Sequence, residues 1–135
     1  MLGRLLRIKE DAPAEEAPGE IAGRLFDAGS NCAQAVLQAT TGLDEPRLLA
    51  MAEPFGGGIG GSKCLCGAVS GGVMALGLEG RGKKSKALVA AFQERNRVTC
   101  CKVLSAPYRW LSPEHKANCR RMTVETAELT ARLLK

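Results

Sequence analysis

Six cysteines in 135 residues, Cys32, Cys64, Cys66, Cys100, Cys101 and Cys119, are the side chains of this sequence best suited to chemistry. A small domain gains little packing from so many thiols, because alanine or valine fills the same space without the risk of oxidation. Thiols dispersed in sequence but converging in space can hold a metal ion or an iron–sulfur cluster, or can pair and trade electrons as disulfides. The pattern points to redox or metal chemistry.

The cysteines occupy different settings. Cys32 follows Asn31, a good N-cap whose capping box Gln34 completes, so it stands in the first turn of a helix. Cys66 opens an apolar stretch that runs to Leu78. At both positions unpaired backbone amides and the helix dipole favour the thiolate, the form that binds metal or attacks a disulfide. Cys119 shares the apolar stripe of the last helix with Met122, Thr126, Leu129 and Leu133 and is expected to face inward. Cys100 and Cys101 are adjacent and point in different directions, so at most one of them joins a shared site. Cys64-Leu65-Cys66 poses the same choice.

Other motifs are weaker. No C-x2-C pair is present, and the sole histidine, His115, has no partner at ligand spacing; it is expected to be exposed in the first turn of the last helix. Gly56, Gly58 and Gly61 formally satisfy G-x-G-x-x-G, but no strand precedes them. Gly77, Gly82 and Lys83 approach the P-loop pattern, with Lys84 where Ser or Thr is required. Neither reads as a phosphate site.

The elements that must position these thiols are helical. Hydrophobic residues make up 45% of the chain and aromatics only 4%, so the core rests on Leu, Val, Ala and Met, which suits helix packing. Residues 1–18 read as a flexible, proline-bearing lead-in with a short amphipathic turn at Leu2–Ile8, and residues 19–135 as one helical domain. Apolar spacing predicts helices around Ile21–Phe26, Asn31–Leu37, Leu48–Met51, Gly67–Leu78 and Ala87–Leu104, the last of these broken. A final helix starts at Ser112-Pro113-Glu114. The expected fold is an all-α bundle of five or six helices. Between two of them, Phe55 to Cys66 is too rich in glycine for any regular element and must be a loop. Gly67 and Gly71 leave a smooth helix face that would serve a homodimer contact or an internal helix contact equally well.

The net charge of +5 gathers in three groups: Arg81, Lys83, Lys84 and Lys86; Arg95 and Arg97; Lys116, Arg120 and Arg121. These read as solvated helix surface, with a docking face for an acidic partner as the sharper alternative. Nucleic acid is disfavoured because few aromatics are available for stacking. Met1–Lys9 has no apolar core of a secretory signal, and Ala68–Leu78 is too short for membrane insertion, so a cytoplasmic protein is expected.

Four ordered segments resemble a known family. Asn31-Cys32-Ala33-Gln34-Ala35-Val36-Leu37, Phe55-Gly56-Gly57-Gly58-Ile59-Gly60, Cys66-Gly67-Ala68-Val69-Ser70-Gly71 and Cys101-Lys102-Val103-Leu104 are similar to successive motifs of the redox-active proteins named for a C…GCAxxG…C…C pattern. Cys119 falls where that family's last cysteine is expected, and the resemblance spans roughly residues 19–133. This chain reads Cys66-Gly67-Ala68 where the family label reads Gly-Cys-Ala. The resemblance selects Cys101 over Cys100 and leaves Cys64 and Cys100 as additional redox thiols.

It implies a small electron-transfer or redox-sensing protein with a redox partner protein. Cys32, Cys66, Cys101 and Cys119 would ligate one iron–sulfur centre, [2Fe–2S] in preference to mononuclear iron or zinc. Gly56, Gly57, Gly58 and Gly60 would fold over it and bring backbone amides to the sulfurs. Two rivals stand beside this reading. One is a metal-free thiol–disulfide exchanger with Cys32 or Cys66 as the attacking thiol. The other is a non-catalytic helical interaction module whose cysteines only fill the core.

Overall fold

Caps and glycines punctuate the chain where the sequence expects. In the computed structural model, which describes residues 16–135, α1 spans Pro18–Asp27, α2 Cys32–Thr41, α3 Pro46–Ala52, α4 Gly67–Leu78, α5 Ser85–Asn96, α6 Cys101–Leu104 and α7 Pro113–Leu134. Helix α6 is a single turn; the other six match the expected bundle, and the described residues contain no strand. Short 3-10 turns at Glu53–Phe55 and Ile59–Gly61 punctuate the glycine loop. The lead-in expected over 1–18 lies outside the described residues except for its end, where Pro18 already opens α1. No helix of the described residues is long and apolar enough to cross a membrane.

Helix α7, 22 residues long, is the spine against which α1, α2, α4 and α5 pack. The main core joins Val36, Val69, Phe92 and Met122, and Cys66 and Cys101 belong to the same buried cluster. The thiols are therefore built into the packing of the domain. Glycine makes the α2–α4 contact possible. A Cβ on Gly71 would run into the backbone carbonyl of Ala33, so the two helices touch backbone to backbone. This close packing offsets the cost of helical glycine, about 1 kcal/mol relative to alanine. It also spends the glycine-lined face inside the molecule, which removes it as a surface for a second copy.

Much of the positive charge fastens helices together. Arg81 Nε and Lys84 Nζ donate to the last carbonyls of α7, those of Leu134 and Leu133, at 3.2 and 2.9 Å. Cations at a helix C-terminus also complement its dipole. Arg120 forms a two-pronged pair with Asp27 at the end of α1, and Arg121 reaches Asn96, Asn118 and Glu125.

Asn31 carries the entry to α2. Its Oδ1 accepts the Gln34 N–H at 2.9 Å, Gln34 Oε1 accepts the Asn31 N–H at 3.0 Å, and Asn31 Nδ2 donates to the Glu53 carbonyl at 2.9 Å. One side chain thus caps the Cys32 helix and ties it to the glycine loop. Asn31→Ala should cost about 1–2 kcal/mol, read as a lower urea midpoint with an unchanged slope.

Candidate functional site

Four separate segments each deliver one sulfur. Cys32 is the first residue of α2, Cys66 the N-cap of α4, Cys101 the first residue of α6, and Cys119 lies in the second turn of α7. All four line one cavity of about 720 Å³, walled on its apolar side by Phe26, Trp110, Leu111 and Met122. Cys66 and Cys101 are buried; Cys32 and Cys119 are half-buried.

A disulfide resolves both adjacent-cysteine ambiguities. Cys64 and Cys100 are bonded to each other, with their Cα atoms 4.4 Å apart, and Cys64 is exposed. The two segments run side by side: Cys66 N–H donates to the Thr99 carbonyl at 2.7 Å and Lys102 N–H to the Lys63 carbonyl at 2.8 Å. The bridge takes one cysteine from each segment, and Cys66 and Cys101 are left facing the cavity.

The expected low-pKa thiols are not the ones the structure produces. A hydrogen bond donated to Cys101, together with burial, holds Cys66 well above the ordinary thiol range. Burial pushes Cys32 up, opposed only in part by the backbone N–H of Gly57. Burial first, then the nearby Cys32 and Cys101, takes Cys119 up to about 12. Cys101 moves the other way, to about 7, because it accepts from Cys66 and from the Gly67 N–H, which together outweigh its burial. Both predicted helix-start positions, Cys32 and Cys66, exist. Loss of water outweighs the helix dipole at Cys32, and a donated S–H does so at Cys66.

The glycine loop reaches the site through Gly57, which lines the cavity and points its N–H at the Cys32 sulfur. Gly57, Gly58 and Gly60 adopt φ of 72, 89 and 59°, a left-handed backbone that favours glycine. Gly56 lies against the Asn31 amide and Gly58 against the Lys63–Cys64 backbone, whereas Gly60 borders open space. Gly67, outside the loop, also has no room for a side chain: a Cβ there would stand 2.5 Å from Cys32 Sγ and 2.6 Å from the Phe55 carbonyl oxygen. Among the described residues, no three of His, Cys, Asp and Glu stand close enough together to hold a single metal ion.

His115 was expected at the surface and is instead 3% exposed. Its Nδ1 accepts the Leu111 N–H at 2.9 Å, while Nε2 lies 3.1 Å from Ser105 Oγ and 3.5 Å from Cys119 Sγ. Burial and the nearby Lys63 cation lower its pKa. Trp110 packs on its ring at 4.2 Å, and Lys63 Nζ sits 4.3 Å over Trp110. Helical spacing held the missed signal, since His115 lies four residues before Cys119 and shares its face.

The family model described as "Putative redox-active protein (C_GCAxxG_C_C)" matches residues 30–133, from just before the Asn31 cap to the end of α7. The chain belongs to this family. Its C_GCAxxG_C_C segment takes in all four cavity cysteines, the glycine loop and the Cys64–Cys100 bridge. No curated protein and no solved structure matches the chain. The four thiols around the cavity all fall within the matched residues.

Proposed function

We propose that the cavity is a one-electron redox centre in which Cys32, Cys66, Cys101 and Cys119 hold an iron–sulfur cluster of the [2Fe–2S] type. One observation carries this reading: four thiols from four segments wall a single cavity, with backbone N–H groups aimed at three of the sulfurs. The donor set is all sulfur, which favours iron–sulfur or zinc over harder metals. Among the described residues no three such side chains are grouped to hold a single ion, and the cavity of about 720 Å³ is larger than one ion requires. Bound there, the cluster would supply reversible one-electron transfer.

The protein's own part is to bind and to tune. Cys101, already near neutrality in pKa, is the first sulfur ready to ligate at pH 7. The N–H groups of Gly57, Val69 and Gly67 stabilise negative charge on Cys32, Cys66 and Cys101. Gly67 keeps the Cys32 sulfur close, where any side chain would displace it. The electrons come from a redox partner protein. Cytoplasmic residence belongs to the same proposal, since thiols stay reduced there, and the exposed bridge would be the first bond to open.

Anaerobic reconstitution with iron and sulfide should give visible charge-transfer absorption and about two irons per chain. Cys66→Ser and Cys101→Ser should each abolish both. A colourless, iron-free protein with four titratable thiols would overturn the assignment.

The hydrogen bond between Cys66 and Cys101, with its unequal pKa values, favours metal-free thiol–disulfide exchange as the second reading. The Cys101 thiolate would bond to one sulfur of a partner disulfide and release the other as thiolate. Cys66, after losing its proton, would then attack Cys101, forming the Cys66–Cys101 disulfide and expelling the partner's second thiolate. A reversible loss of two hydrogens per chain, with no metal bound, identifies this route.

A further inference from the structure

We propose that His115 is a positioning residue for the Cys119 sulfur: a neutral imidazole fixed in its Nε2-protonated form, with that N–H held between Ser105 Oγ and Cys119 Sγ. The direction of the bonds follows from one donor that cannot change role. The Leu111 backbone N–H can only donate, and it points at Nδ1 from 2.9 Å. Nδ1 must therefore be the acceptor, and the ring proton sits on Nε2. Nε2 then donates toward Ser105 Oγ at 3.1 Å and Cys119 Sγ at 3.5 Å.

The surroundings hold this arrangement. Leu111 has φ of 66°, a left-handed backbone that leucine rarely adopts, in the turn that presents its N–H to the ring. Trp110 covers one face of the imidazole, and Ser112, the N-cap of α7, accepts the His115 backbone N–H at 3.1 Å. His115 is 3% exposed, so little water reaches its ring.

The bond direction excludes one role and assigns another. A histidine that activates a cysteine must accept the thiol proton at the nitrogen facing it, and here that nitrogen already carries one. His115 is a donor to sulfur. While Cys119 is a neutral thiol, Ser105 shares the N–H; once the sulfur becomes anionic, on ligation or deprotonation, the bond to it becomes charge-assisted and stronger. The effect on a bound centre rests on the four-thiol reading above. The hydrogen bond itself does not.

The test uses metal-free, reduced protein, so an iron-binding failure leaves it intact. With a single histidine in the chain, histidine-labelled protein gives one imidazole spin system in long-range proton–nitrogen spectra. The expected result is a bare Nδ1 and a protonated, slowly exchanging Nε2, with Cys119→Ala moving the Nε2 signal and leaving the tautomer unchanged. Alkylation of Cys119 by iodoacetamide, followed by peptide mass spectrometry, should slow about tenfold in His115→Phe and stay within about twofold of wild type in His115→Gln, which restores a donor. A protonated Nδ1, a rapidly exchanging tautomer mixture, or equal alkylation rates in all three proteins would overturn the proposal. If His115→Phe does not fold, the wild-type and Cys119→Ala spectra decide it alone.

Discussion

Joint replacement of Cys64 and Cys100 by serine should lower the unfolding free energy by about 4 kcal/mol, the chain-entropy value for a closed loop of this size. The bridge joins residues 36 apart in sequence, and that loop contains all of α4 and α5. A loss of that size is a large share of the ~5–15 kcal/mol that holds an ordinary domain together. The fold should survive it. The two bridged segments remain joined by the Cys66–Thr99 and Lys102–Lys63 backbone hydrogen bonds, so the native site keeps its frame while the unfolded chain gains freedom. Urea unfolding of the bridged protein, the reduced protein and the double variant separates the contributions. The reduced protein and the variant should unfold together, well below the bridged form. Equal midpoints for all three would show that the bridge does not constrain the unfolded chain.

Stability should climb between pH 7 and 9 and fall beyond it. Cys101 titrates at about 7 in the folded chain, below the ordinary thiol value of 9.0, so across that window the unfolded chain binds more protons and rising pH favours the fold. The contribution is complete above 9 and is lost as pH drops through 7. Cys32, Cys66 and Cys119 are shifted upward, so above 9 the folded chain keeps protons that the unfolded chain has shed. Each such buried thiol then costs about 1.4 kcal/mol per pH unit, with less from half-exposed Cys119, where solvent screens the effect. Above 9 Cys101 adds no further gain while the three raised thiols act together, so the decline should be steep. Urea midpoints from pH 6 to 10.5, taken without reductant under argon, give the curve, and alkylation at pH 7 should label Cys101 first. A midpoint still rising at pH 10, or Cys119 labelled ahead of Cys101, would contradict this account.

The helices were legible because their ends are written locally. Asn31 with Gln34, and Ser112 with Pro113, are caps that need no tertiary information, and both are where the sequence places them. The left-handed turns at Gly57 and Gly58 likewise follow from composition. The choice between vicinal cysteines was not local. It depends on how the Cys64–Cys66 and Cys100–Cys101 segments lie beside each other, which only the packed chain decides. The order of thiol pKa values was hidden for a related reason. Helix-start position can be read from sequence, but loss of water at Cys32 and a hydrogen bond donated by Cys66 to Cys101 cannot. His115 combined both difficulties, since it packs against Trp110 inside the folded chain and its bonding comes from a turn that leucine seldom makes.

The missing side chains at Gly67 and Gly71 bear on how electrons could move. They press α4 so closely onto α2 that Cys32 and Cys66, at the starts of those helices, sit on one stiff unit. Close-packed interiors deform little. Whatever charge arrives between these sulfurs would meet a frame that barely relaxes around it, keeping the reorganisation that slows electron exchange small.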